Sequence, residues 1–240
     1  MASDETSTPW LQPKFLIAAA LVIALVILGV VIALGGRDEP REGSSTPTAT
    51  SSATTPAPVA AGAASVCGLP GYAESGTLNT APAAEWPFQG TTAYPTSSEY
   101  GPGATTPSGV RFCFQHTPTG ALFAAANAIV QGSDPAVAGE WLEYALADGP
   151  YRDQILGDGE SSGGSDSRMN IVGFRMLAYD GATARVDVAV RVTVETSTVF
   201  TSGVYELVWA DGDWKLRADT AKPLNVARIP DLSGYVPWGA

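Results

Sequence analysis

The chain of 240 residues is poor in the side chains that carry most enzyme chemistry. It has one histidine, two cysteines and three methionines, and its 13 Lys and Arg stand against 24 Asp and Glu. No G-x-S-x-G, H-E-x-x-H, glycine-rich phosphate loop or C-x-x-C pair occurs. Two cysteines 46 positions apart and a single His116 cannot assemble a four-ligand zinc site. The stretch GESSGGSDS over 159–167 is acidic but lacks the D-x-D-x-D-G spacing of a calcium loop, so it reads as a connector. Most hydrolytic, metal-dependent and phosphoryl-transfer reactions therefore have no actors, and the expectation is no catalytic residue, no cofactor and no metal.

The shortage of basic residues excludes a further class. From residue 67 onward there are 19 acidic and 10 basic side chains, a net charge near −9. Nucleic-acid binding relies on Lys and Arg neutralising phosphates, so no nucleic-acid partner is expected. Much of the excess lies in one stretch, where Asp134, Glu140, Glu143, Asp148, Asp153, Asp158, Glu160 and Asp166 surround a single Arg152. Such a run is either a solvated face that keeps the domain soluble or a docking face for a basic partner.

What the chain does have is a long apolar run. Residues 15–36, FLIAAALVIALVILGVVIALGG, carry no charge. As a helix they extend about 33 Å, enough for the roughly 30 Å hydrocarbon core of a bilayer. A cleaved signal peptide is the rival reading, but its apolar region is normally shorter and follows a basic start, whereas Asp4 and Glu5 stand here. The organisation expected is a cytoplasmic N-terminus (1–14), a transmembrane helix (15–36), a stalk (37–66) and an extracytoplasmic domain (67–240). Lys14 before the span and Arg37 and Arg41 after it do not support that orientation. The character of the stalk and the cysteines do. The stalk is rich in Ser, Thr, Pro and Ala and has no apolar periodicity, which predicts a disordered spacer of roughly 30 Å. The localisation expected is the plasma membrane, with a single pass.

Cys67 ends the stalk and Cys113 lies in the apolar run VRFCF. A disulfide between them pins the loose segment 67–110 to the core; the alternative is two unrelated thiols, with Cys113 a small core residue. Residues 67–109 read as irregular, with short extended pieces near Trp86–Tyr94. Val110–Gln115 reads as a strand. Thr117 and Pro118 are an N-cap and first-turn proline for a helix stopped by Gly132. Ser133 or Asp134 caps a second helix running to about Ala147, with Trp141, Leu142, Ala145 and Leu146 on one face. YRDQILGDG makes a short third helix.

The C-terminal third reads as β. Ala184, Val186, Val188, Val190, Val192 and Val194 alternate with Arg185, Asp187, Ala189, Arg191, Thr193 and Glu195, the pattern of a half-buried antiparallel strand. Asp180-Gly181 joins it to a strand at about Met169–Tyr179, and Asp211-Gly212 joins Val199–Ala210 to Asp213–Ala218. Residues 220–240 read as a tail whose Leu224, Ile229, Tyr235 and Trp238 pack back on the domain. The fold class expected is α+β: helices on one face of a curved antiparallel sheet of four or more strands.

The closing VYELVWADGDWKLRAD, with the helices-then-strands order over about 110–219, resembles the cystatin-like and nuclear-transport-factor-2-like architecture. FCFQHTPTGALFAAAN at 112–127, with its F-x-H-T-P-x-G-A-L-x-A-A-x-N pattern, looks like a motif of uncharacterised membrane-anchored proteins of high-GC Gram-positive bacteria, found beside conjugation-type gene clusters. Membrane helix, stalk and cystatin-like domain together are similar to the bitopic assembly factors of type IV secretion systems, which scaffold a channel and are not enzymes. The resemblance implies an interaction or scaffolding module with other envelope proteins as partners.

Enzymes of that superfamily place acids, bases or tyrosines in a cone-shaped cavity between helices and sheet. This implies two further readings: a small-ligand binder or sensor, and an isomerase- or dehydratase-type enzyme. In the latter His116 is a general base with Asp187 or Tyr205 beside it. The structural reading has His116, Thr117 and Pro118 forming the strand-to-helix turn, with the imidazole bonded to backbone groups there. Asp187 lies on the outward phase of its strand, which argues against the catalytic pairing.

Overall fold

The structure, a computed structural model, describes residues 64–159, 168–194 and 197–240. The segments expected to be the N-terminus (1–14), the membrane helix (15–36), nearly all of the stalk and the connector 160–167 lie outside them. Among the described residues no helix is long and apolar enough to cross a membrane.

The architecture is α+β. Four two-residue strands come first: β1 (Phe88–Gln89) pairs with β2 (Thr92–Ala93), and β3 (Ala104–Thr105) with β4 (Arg111–Phe112). Helices α1 (Pro118–Ser133), α2 (Ala138–Ala145) and α3 (Arg152–Gly159) follow. Strands β5 (Arg168–Tyr179), β6 (Thr183–Val194), β7 (Ser197–Ala210), β8 (Asp213–Leu216), β9 (Leu224–Ile229) and β10 (Val236–Pro237) form one antiparallel sheet in the order β10-β5-β6-β7-β8. Strand β9 pairs with the Phe200–Tyr205 half of β7, and β8 pairs with the Leu207–Ala210 half.

The expected hairpins form, each with a stated local cause. Asp180 Oδ1 accepts from the N–H of Ala182 and of Thr183, closing the β5–β6 turn. Asp211 and Gly212 both have positive φ, 53° and 76°, the geometry that a two-residue hairpin turn needs. The apolar phase of β6 (Ala184, Val186, Val188, Val190) is buried against α1, whose Ala121, Leu122, Phe123 and Ala125 are fully covered.

Several boundaries differ from the sequence expectation. The strand over Val110–Gln115 shrinks to Arg111–Phe112, because Cys113 takes a left-handed φ of 67° that ends the pleat. Helix α1 runs past Gly132 to Ser133 and is capped by Asp134. Helix α2 starts at Ala138 and ends at Ala145, later and sooner than expected. Asp134 holds the intervening residues in a turn: its side chain accepts from Ala136 N–H and its carbonyl from Val137 and Ala138. The C-terminal tail packs back on the domain in part as strands. It adds β9 and β10 to the sheet and sends Trp238 into the core against Trp86, Phe123 and Phe174. Leu224, expected to pack back, is 37% exposed, because β9 lies at the sheet's edge.

Candidate functional site

The segment Phe114–Asn127 holds the one histidine, and nearly every position in it has a packing or bonding partner. Cys113 is disulfide-bonded to Cys67, tying the residues that follow the stalk to the core. Thr117 Oγ1 accepts from Gly120 N–H, and Pro118 occupies the first turn of α1, where a missing N–H costs nothing. A Cβ at Gly120 would stand 1.9 Å from the Gln115 carbonyl oxygen, so only glycine fits. Asn127, fully buried, donates to the carbonyls of Pro95 and Phe123 and accepts from Arg111 Nε.

His116 is buried, and one of its ring bonds reaches beyond the adjoining turn. Nε2 donates to the Gly181 carbonyl at 2.5 Å, across to the β5–β6 hairpin. The ring stacks on Trp209 at 3.8 Å and meets the edges of Tyr72 and Trp214. Its own carbonyl accepts from Ala73 N–H and Tyr179 Oη. The imidazole thus clamps three separated pieces of chain together.

Neither proposed catalytic partner is arranged for proton transfer. Asp187 lies on the outward phase of β6 as expected, yet it is fully buried. The segment before β10 covers that face: Tyr235 Oη donates to Asp187 Oδ2 at 2.7 Å, and Arg175 pairs with the same oxygen at 2.5 Å. Asp187 Oδ1 is buried without a hydrogen-bond partner among the described residues. Tyr205 is buried on the opposite, helix-facing side, and burial drives its phenol pKa upward.

Two buried polar centres escaped the sequence reading. Asp213 accepts from the N–H groups of Cys113 (2.6 Å), Phe114 (2.9 Å) and Trp214 (2.9 Å) and from Tyr144 Oη (2.8 Å). Burial raises its pKa, opposed by those four donors. The carboxylate holds open the left-handed turn at Cys113. Arg111 is the second. Its backbone bonds reciprocally with the Gln131 amide, its side chain reaches Asn127 and Gln89, and its guanidinium lies 3.8 Å over the Tyr94 ring. Burial lowers its pKa, opposed by Tyr94 and Asp134. A charge inside VRFCF and an aspartate directly after a D-G turn were the available signals.

Large side chains between helices and sheet, among them Leu122, Phe123, Phe174, Val186 and Val188, are fully covered. The cavity bordered by Arg111, Gln131, Tyr144, Asp213 and Trp214 holds about 20 Å³, room for one water molecule. On the surface, an open groove of about 260 Å³ is lined by Asp148, Val208, Ala210, Asp211, Arg217 and Asp219. Its Asp211 and Asp219 are paired with Lys215 and Arg217. Arg152, the one base in the acidic stretch, is spent on the carbonyls of Glu143, Leu146 and Ala147 at the end of α2. Among the described residues no group of His, Cys, Asp and Glu could hold a metal ion.

These features define an α+β domain with a packed interior and a polar framework that ties loops to the sheet. The chain belongs to the family described as Domain of unknown function (DUF8175), which matches residues 46–237. No curated protein and no solved structure matches the chain.

Proposed function

We propose that this protein is a non-catalytic interaction module, held at the plasma membrane by residues 15–36 and displayed outside the cytoplasm on the 37–66 stalk, where it docks other envelope proteins. The observation that carries the reading is the packing under α1, where Leu122, Phe123, Val186 and Val188 are fully covered. A ligand-binding or catalytic member of a cystatin-like fold works from a cavity of several hundred Å³, whereas the cavity beside Arg111 and Asp213 has room for a single water. Apolar side chains stand instead on the surface, with Phe88 66% and Val226 67% exposed. The F-x-H-T-P-x-G-A-L-x-A-A-x-N segment supports the same reading, since its histidine, threonine, glycine and asparagine are engaged in holding the fold.

The finer parts of the proposal rest on resemblance. A helix laid on an antiparallel sheet supports the cystatin-like assignment. Together with anchor and stalk it supports a role as an accessory component of a conjugation or type IV secretion-like assembly in high-GC Gram-positive bacteria. The experiment is chemical crosslinking in the native membrane followed by identification of the adducts. The reading expects discrete envelope-protein adducts that depend on the 67–240 domain. Recovery of no protein adduct, together with a small molecule that co-purifies and raises Tm, would replace it with the ligand-binding reading.

A further inference from the structure

The interaction reading leaves open which surface docks and what docks there, and the C-terminal edge of the sheet answers both. Strand β9 pairs with β7 over Tyr205↔Leu224 to Phe200↔Ile229 without a bulge, and no strand lies beyond it among the described residues. Glu206 N–H donates to the Pro223 carbonyl. Bonded and non-bonded pairs alternate along an antiparallel ladder. Asn225, Ala227 and Ile229 therefore bond to β7, and the N–H and C=O groups of Leu224, Val226 and Arg228 point outward. Natural edge strands are normally shielded by bulges, internal prolines or covering segments. Here all residues of β9 except Ile229 are exposed, and Val226 and Leu224 are 67% and 37% exposed.

Charge selects the occupant. Leu224, Val226 and Arg228 share one side-chain phase and read apolar, apolar, cation, and a second cation, Lys222, lies before the bend at Pro223 that precedes the strand. Neither cation forms an ion pair among the described residues. A second copy laid antiparallel on this edge, with Val226 opposite Val226, sets each Arg228 opposite Leu224 and leaves the cation without a partner. A strand with a carboxylate opposite Arg228 satisfies that cation and the outward backbone groups together.

We propose that β9 is a docking edge for an extended segment of a partner protein with the pattern acidic-x-apolar-x-apolar, added to the sheet as a further strand. The proposal rests on the interaction reading but can fail without it.

The test uses the full chain in detergent micelles and the fluorescein-labelled peptide Glu-Thr-Val-Thr-Val-Thr-Glu, with binding read by anisotropy. Saturable binding is expected. Val226→Pro removes an outward N–H that the fold does not use, so it should abolish binding with Tm unchanged. Arg228→Glu should weaken binding about tenfold, while Arg191→Glu, an equal charge change at an exposed position on β6, should leave it unaltered. Arg228→Glu keeps the test decisive if Val226→Pro lowers Tm. The proposal is overturned by absent peptide binding, by equal weakening in Arg191→Glu, by tighter binding of a control peptide with lysine in place of both glutamates, or by self-association that Val226→Pro removes. Native-membrane adducts that persist unchanged in Val226→Pro would preserve the interaction reading and discard this edge.

Discussion

Asp213 and Gly120 show how single side chains set the shape of the segment that holds the histidine. Four donors converge on the Asp213 carboxylate, two of them from the backbone at the left-handed Cys113 turn. Removing it orphans buried N–H groups, so Asp213→Ala should cost about 3 kcal/mol, read as a lowered urea midpoint with unchanged slope. Gly120→Ala forces a methyl group against the Gln115 carbonyl and should cost a comparable amount, about 3 kcal/mol. The Thr117 cap and the Pro118 start were legible because capping is a local rule. Asp213 and Arg111 were not, because their partners lie 16 to 100 residues away and sequence periodicity carries no information at that range. Asp187 shows the same limit: its phase on β6 could be read, but not the later stretch that covers it.

At the scale of elements, hairpins were the most legible feature and the terminal segments the least. Asp180-Gly181 and Asp211-Gly212 announce turns through chemistry confined to a few residues. Strands β9 and β10 have no comparable signal, since Leu224–Ile229 is short and exposed and Val236–Pro237 contributes two residues. Their importance comes from Trp238, and Trp238→Ala should destabilise the domain by about 3–5 kcal/mol, measured by thermal melting. The Asp180 carboxyl is held below its usual pKa first by the Thr183 backbone and hydroxyl bonds. A lowered folded value means its contribution is present above the ordinary carboxylate range and is lost as pH falls through the lowered value. Asp180→Asn should therefore flatten that part of the acid dependence of amide protection in the β5–β6 hairpin. The Cys67–Cys113 bond acts between elements, and replacing both cysteines by serine should cost on the order of 4 kcal/mol in the chain-entropy model.

For the whole molecule, the account places function on the surface and stability in the interior. The α+β class was legible from the order of helices and alternating strands. The narrowness of the cavity beside Arg111 was not, because it depends on Tyr144, Asp213 and Trp214 arriving from distant parts of the chain. The proposed topology makes its own prediction: protease added to intact protoplasts should cut within 37–66 and release the domain, and protection of the stalk would reverse the orientation. The most direct test of the division between surface and interior is a paired measurement on His116→Ala. Loss of the bond to Gly181 and of the stack on Trp209 should cost about 2 kcal/mol, lowering Tm. Function in the cell should fall only as far as the folded protein does. A His116→Ala protein with the parent Tm that fails completely in the cell would contradict the account and return the histidine to a chemical role.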